Sequence, residues 1–116
     1  MVIWITGKAS SGKTPIAKKL CQVIPGAVLI DGDVMREHFP ADFDDDGRKQ
    51  NIMRIAHFAA ILEGQGFTPV VACVSPKREW RDEARKLFKD SILIYLTGGK
   101  LWKGSTYEIP KEDELQ

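Results

Sequence analysis

The stretch Gly7-Lys8-Ala9-Ser10-Ser11-Gly12-Lys13-Thr14 matches the pattern GxxxxGK[ST] at every fixed position. Glycines in this pattern let the backbone bend, so that several N–H groups point inward and can hydrogen-bond phosphate oxygens at the positive end of the next helix. The lysine of the pattern reaches the β- and γ-phosphates, and the hydroxyl after it ligates Mg²⁺. The sequence therefore predicts a phosphate loop that binds ATP and Mg²⁺ through these eight residues, with Thr14 as the metal ligand.

The segments around this loop alternate as a parallel sheet requires. Residues 2–5 form an apolar, β-branched run typical of a buried strand, and residues 13–23 repeat apolar side chains at helical spacing. Because strands and helices continue to alternate, we predict an α/β fold of three layers with a four-stranded parallel sheet flanked by helices. The later strands are predicted at 27–30, 69–74 and 92–96, and the later helices at 34–39, from an acidic start at 42–46 to about residue 64, and around 80–88.

Length and composition narrow the class of protein. The chain has 116 residues, so we expect one domain over 1–116, with 97–116 as a short irregular C-terminal segment whose charged end, 111–116, is frayed. A formal net charge of +1 argues against a protein that binds nucleic acid through phosphate neutralisation. No apolar run approaches the roughly 20 residues that span a bilayer, so we expect no membrane partner and a cytoplasmic location.

Two carboxylates follow the second predicted strand. Asp31 and Asp33 flank Gly32, and Arg36 comes shortly after them. Open α/β sheets bind ligands at the carboxyl ends of their strands, and phosphoryl transfer needs a carboxylate near the attacking hydroxyl with cations around the transferred charge. Asp31, Asp33 and Lys13 are therefore the candidate catalytic residues, although an Asx-turn that closes the strand explains the two acids as well.

Several motifs follow one another in a fixed order along residues 1–96. They are Trp4-Ile5-Thr6-Gly7, then Leu29-Ile30-Asp31-Gly32-Asp33-Val34-Met35-Arg36, then Phe43 with Arg48, then Gln50-Asn51-Ile52-Met53-Arg54-Ile55-Ala56, and then Val74-Ser75-Pro76-Lys77-Arg78. In this order and at these intervals the chain resembles the adenylyl-sulfate kinase family. The resemblance implies a P-loop kinase fold and an enzyme that moves the γ-phosphate of ATP to the 3′-hydroxyl of adenylyl sulfate, a small-molecule substrate of sulfate assimilation.

The resemblance also assigns roles to single residues. Asp33 or Asp31 matches the carboxylate that activates the hydroxyl, and Phe43 matches a ring that stacks on the adenine. Arg36, Arg48 and Asn51 match residues that hold the sulfonucleotide. The positions assigned to the acceptor site are Asp33, Arg36, Phe43, Arg48, Asn51, Val74 and Ser75.

The chain departs from the family after its fourth predicted strand. The family continues there through a lid, whereas residues 97–116 leave room only for a reduced lid or none. We expect Lys100, Trp102 and Lys103 to form a shortened version, with the lysines near the phosphates and the indole as a wall. Two other functions remain open: a kinase for another small-molecule acceptor, and a catalytically weak nucleotide-binding module. A homodimer would supply the missing surface from a second subunit.

Pro15 directly follows the phosphate loop. Proline is sterically acceptable in a first helical turn but has no N–H. Loops of this kind commonly offer the N–H at this position to the α-phosphate. We therefore expect one hydrogen bond fewer to the nucleotide, and weaker binding by about 1 kcal/mol.

Overall fold

Strands and helices alternate along the chain, as predicted. The computed structural model describes residues 1–101 and 105–115. Within this part, none of the helices is long and apolar enough to cross a membrane. The strands are β1 (Val2–Gly7), β2 (Ala27–Asp31), β3 (Thr68–Ala72) and β4 (Ser91–Leu96), and the helices are α1 (Lys13–Val23), α2 (Gly32–His38), α3 (Asp45–Gly64) and α4 (Arg78–Arg85), followed by one 3₁₀ turn at Glu112–Glu114.

The four strands form one parallel sheet in the order β2-β3-β1-β4. In its register Ile5 pairs with Ala72, and Gly7 pairs with Leu96. Because all strands run the same way, the segments that follow β1, β2 and β3 leave the sheet at one edge. The phosphate loop, the acidic pair and the loop after β3 therefore meet there.

Alternating side chains of the sheet build two cores, one on each face. On one face Ile3 and Ile5 pack with Ala17 of α1. On the other face Trp4 packs with Ile55 of α3 and with α4. Helices thus cover both faces of a buried parallel sheet, which confirms the predicted three-layer α/β fold.

Some element boundaries differ from the predicted ones. The first helix after the acidic pair begins at Gly32, two residues earlier than predicted, because the Asp31 carboxylate accepts hydrogen bonds from the N–H groups of Asp33 and Val34 and so caps the helix. Strand β3 ends at Ala72, so the chain has left the sheet before residue 74. The acidic stretch does begin a helix as predicted, since Asp44 caps α3 through the Gly47 N–H.

The prediction of a frayed end at 111–116 is wrong for residues 111–115, and Gln116 lies outside the described residues. The Glu114 side chain is 0% exposed and forms an ion pair with Arg81 of α4, whose side chain is 1% exposed. The Arg85 guanidinium also donates to the main-chain carbonyl of Glu114, at 2.9 Å. Residues 111–115 are therefore packed against α4.

Candidate functional site

The phosphate loop needs glycine at both ends of its pattern. Gly12 has φ of 93°, a left-handed conformation that L side chains rarely adopt. A Cβ at Gly7 would lie 2.7 Å from Ser11 Oγ and 2.8 Å from the Leu96 carbonyl oxygen. The bend that gathers the loop amides is therefore possible only with this spacing of glycines.

Lys13 lies inside the loop. Its Nζ donates to the carbonyl oxygens of Gly7, at 3.1 Å, and Lys8, at 2.7 Å. Burial lowers the pKa of Lys13, while Cys73, Asp33 and Asp31 act in the opposite direction. The ammonium group is thus held by the loop's own carbonyls, and phosphate oxygens would be stronger partners for it.

The Thr14 hydroxyl and the Asp31 carboxylate are in direct contact. Thr14 Oγ1 donates to Asp31 Oδ2 at 2.7 Å, and Asp31 Oδ1 accepts from the Asp33 N–H at 2.8 Å. Oxygen ligands of this kind suit Mg²⁺, which usually keeps waters and takes phosphate oxygens beside one or two carboxylates. Residues 1–101 and 105–115 contain no group of three or more His, Cys, Asp or Glu side chains that could hold a metal ion by itself. Thr14 and Asp31 therefore fit a magnesium ion that binds together with a nucleotide.

Asp33 differs from Asp31 in its surroundings. It is exposed in the first turn of α2, and its carboxylate has no hydrogen bond to any residue that the structure describes. It is nevertheless close enough to Lys13 and Arg36 to raise the pKa of each, against the larger lowering effect of burial. Asp33 is thus an unengaged carboxylate beside two cations.

Arg36 and Asn51 each hold a buried polar atom without a partner. Within the described part of the chain, Arg36 Nη1 donates no hydrogen bond and Asn51 Oδ1 accepts none. Asn51 is 5% exposed, and its Nδ2 donates to the Gly32 carbonyl oxygen at 3.4 Å. Since buried polar groups in native proteins almost always have partners, these two atoms indicate a place where a polar ligand binds.

Phe43 and Arg48 adjoin the same place. The guanidinium carbon of Arg36 lies 4.0 Å from the centre of the Phe43 ring, whose residue is 72% exposed. Arg48 Nε donates to the Phe43 carbonyl oxygen at 2.7 Å, and Arg48 Nη2 donates to Ser105 Oγ at 3.1 Å. Burial lowers the pKa of Arg36, and the nearby Arg48 lowers it further. The structure therefore brings two cations and one aromatic ring together, and their assignment to an acceptor site stays a prediction.

Val74 and Ser75 lie in the loop after β3. Ser75 is 1% exposed and has φ of 40°. Its hydroxyl accepts from Trp4 Nε1 at 3.0 Å and donates to Thr6 Oγ1 at 2.8 Å. The structure thus brings the backbone of this loop to the carboxyl edge of the sheet, but it does not bring the Ser75 side chain to the open surface near Arg36.

The predicted shortened lid is described only in part. Lys100 is exposed, and its N–H donates to the Ala9 carbonyl oxygen at 2.7 Å, so this segment runs along the phosphate loop. Trp102 and Lys103 lie outside the described residues.

Arg81 and the C-terminal segment beside it escaped prediction from the sequence. From the sequence, a solvated helix face explains Arg78, Arg81 and Arg85 about equally well, so Arg81 does not stand out among them. Arg81 is nevertheless 3% exposed and donates to the Ser75 carbonyl oxygen at 2.8 Å. The available signal was its place on α4, next to Trp80 and three residues before Ala84, both of which are buried. Counting helical faces would have placed the arginine at the edge of the buried stripe.

Comparisons with known proteins agree with the motifs. Residues 1–99 match the sequence model of the family described as adenylylsulphate kinase. The adenylyl-sulfate kinase of Paraburkholderia xenovorans is 37% identical over 98 residues, which are 79% of this chain and 55% of that protein. The adenylyl-sulfate kinase of Bacillus velezensis is 38% identical over 92 residues, 74% of this chain and 47% of the relative. The chain spans about half the length of the curated relatives it matches.

A solved structure of an APS kinase also resembles this chain. The APS kinase of Mycobacterium tuberculosis, in complex with AMPPNP and APS, superimposes with a TM-score of 0.73 at 30% identity, over 81% of this chain and 60% of that one. The family match covers most of the chain, and its strands, helices and phosphate loop have the corresponding order. The chain therefore belongs to the adenylyl-sulfate kinase family.

Proposed function

We propose that this protein is an ATP-dependent phosphotransferase that moves the γ-phosphate of ATP to the 3′-hydroxyl of adenylyl sulfate. One observation carries the proposal beyond family membership. The unengaged carboxylate of Asp33 lies in the first turn of α2, near the Lys13 ammonium group and the Arg36 guanidinium group; burial lowers the pKa of both cations, and Asp33 opposes this effect at each. A base for the hydroxyl thus lies near a cation for the phosphate and a cation for the acceptor.

On the nucleotide side, the amides of residues 7–14 and the Lys13 ammonium group bind phosphate oxygens. Lys13 exchanges the carbonyls of Gly7 and Lys8 for these oxygens and so faces the charge that develops during transfer. A bound Mg²⁺ neutralises phosphate charge, and Thr14 and Asp31 are the residues that would hold it.

On the acceptor side, Arg36, Arg48 and Asn51 bind and orient the sulfonucleotide. The buried Nη1 of Arg36 gains an anionic oxygen, and the buried Oδ1 of Asn51 gains a donor. Phe43, largely exposed, offers its ring for stacking on the adenine. Asp33 accepts the proton of the 3′-hydroxyl.

The surroundings of the two acids favour a division of their roles. Both Asp31 oxygens are engaged, one with Thr14 and one as the cap of α2, so Asp31 is restrained in one orientation. Asp33 has no such restraint. We therefore assign proton transfer to Asp33, and metal binding and support of α2 to Asp31.

Three further assignments belong to the proposal. Mg²⁺ accompanies ATP at Thr14. The cytoplasm is the compartment, which suits the free thiols of Cys21 and Cys73. The chain forms a homodimer, for which the exposed apolar side chains of Phe58 and Ile61 on α3 are the available surface.

An ADP-release assay with and without adenylyl sulfate tests the function. Release that rises with adenylyl sulfate, and that Lys13→Ala abolishes, supports the proposal. Release that rises only with another hydroxyl acceptor would identify a different small-molecule kinase. Binding of Mg·AMPPNP without turnover on any acceptor would identify a nucleotide-binding module.

A further inference from the structure

One side chain of the C-terminal segment, residues 105–115, contacts the residue that precedes the phosphate loop. The hydroxyl of Tyr107 lies 2.8 Å from Oγ1 of Thr6, which is 0% exposed and immediately precedes Gly7. The Tyr107 ring also stacks on Tyr95 of β4, with centroids 6.0 Å apart and planes at 17°. Tyr107 thus packs against the paired ends of β1 and β4, where Thr6 and Tyr95 are partners in the sheet.

A proton count fixes the direction of these hydrogen bonds. Thr6 Oγ1 has one proton, and its shortest contact, 2.6 Å, is to the Val74 carbonyl oxygen. Its two lone pairs then accept from the hydroxyls of Ser75 and Tyr107, both at 2.8 Å. Burial, the largest influence, raises the pKa of Tyr107 to about 12, so the phenol keeps the proton that it donates. The Thr6 hydroxyl is saturated only when Tyr107 is in place.

Arg81 holds the C-terminal segment against the loop after β3 through hydrogen bonds. Its guanidinium group donates to the carbonyl oxygens of Ser75 and Glu108, both at 2.8 Å, and pairs with the Glu114 carboxylate. The Glu108 N–H donates in turn to the Pro76 carbonyl oxygen at 2.7 Å. The segment 105–115 and the loop after β3 are therefore tied together beside Thr6.

We propose that Tyr107 is a positioning residue for the phosphate loop, acting through the Thr6 hydroxyl at the end of β1. Thr6 joins the loop, which begins at the next residue, to the β3 exit through Val74 and Ser75. Without the phenol, one lone pair of a buried hydroxyl is unsatisfied, and the end of β1 is held less firmly against the β3 exit. The inference rests on the proposed function only in taking this loop to bind nucleotide.

The variant Tyr107→Phe removes the hydroxyl and keeps the ring that stacks on Tyr95. Its matched control is Tyr95→Phe, which removes the same atom from the stacking partner, whose hydroxyl makes no hydrogen bond to the residues that the structure describes. Thermal unfolding first identifies a temperature at which all three proteins are folded. There, Mg·AMPPNP titration should show about fivefold weaker binding for Tyr107→Phe, equivalent to about 1 kcal/mol, and less than twofold for the control.

Hydrogen exchange of the peptide that spans Thr6–Lys13 supplies a second measurement without nucleotide. Exchange there should be faster in Tyr107→Phe than in Tyr95→Phe, whereas a role in stability alone would accelerate exchange across the sheet. Unchanged affinity and unchanged exchange in Tyr107→Phe, or equal effects in both variants, would overturn the proposal. If the unaltered protein binds Mg·AMPPNP but releases no ADP with adenylyl sulfate, the proposed function fails and the role of Tyr107 is still decided by these two measurements.

Discussion

Replacing Glu114 by glutamine should remove a large part of the protein's stability. The carboxylate lies 3.2 Å from Arg81 Nε and 3.2 Å from Arg78 Nε, and its side chain is 0% exposed. Glutamine preserves the volume but leaves the buried Arg81 guanidinium group without its counter-ion. Removing one partner of a buried pair costs about 3–5 kcal/mol. We expect about 3 kcal/mol, because Arg78 is 35% exposed and can turn to water and to Asp113.

Urea denaturation followed by tryptophan fluorescence measures this effect. Domains of this size have stabilities of about 5–15 kcal/mol, and with an m-value of about 1.5 kcal/mol per molar the midpoint should fall by about 2 M. The control is Glu112→Gln, an exposed neighbour in the same 3₁₀ turn, which should change stability by less than about 0.5 kcal/mol. Equal midpoints for Glu114→Gln and the unaltered protein would refute the buried pair, and equal losses in both variants would show that charge alone was responsible.

Three further predictions concern the site and the pH dependence of folding. Asp33→Asn should lower turnover by about 10²–10⁴-fold while Mg·AMPPNP affinity stays within about twofold, because the carboxylate acts on the proton of the acceptor; full turnover would remove Asp33 from the mechanism. Pro15→Ala should strengthen ATP binding by about fivefold, since it restores an N–H in the first turn of α1, and unchanged or weaker binding would contradict this. Burial raises the pKa of Glu63, but hydrogen bonds from the Lys89 and Asp90 N–H groups outweigh it and hold the pKa below its ordinary 4.5. Glu63→Gln should therefore lose stability at pH 7, with the loss shrinking as the pH falls below about 4.5; a pH-independent loss would disprove the linkage.

The elements with strong local signals were predictable. All residues of β1 are buried, with Ile3 and Ile5 on one face and Trp4 on the other, as expected for an apolar run in a parallel sheet that is covered on both faces. The phosphate loop is specified by eight consecutive residues, Gly7 to Thr14, so its position required no long-range information. The same holds for Asp44, whose carboxylate caps α3 by accepting a hydrogen bond from the N–H of Gly47, three residues later.

The C-terminal segment was not predictable for the opposite reason. The contacts that hold it against the sheet and α4 join residues far apart in sequence, such as Tyr107 with Thr6 and Glu114 with Arg81. Local pattern shows only a polar stretch without periodicity, which is equally typical of a solvated tail. The sequence could not show that a buried cation, Arg81, and a buried hydroxyl, that of Thr6, lay opposite it.

The unpaired atoms of the acceptor site limit which molecules can bind there with high affinity. Arg36 Nη1 needs an acceptor and Asn51 Oδ1 needs a donor, and burial makes each unmet requirement costly. Inorganic sulfate or phosphate meets only the first requirement. A simple sugar meets the second but brings no anion to the guanidinium group. A molecule that carries an anionic group and a nucleobase amino group meets both, and its base can also stack on the exposed Phe43 ring. This combination of needs, set by two buried atoms and one aromatic face, supports the proposed sulfonucleotide acceptor over inorganic sulfate, phosphate or a simple sugar.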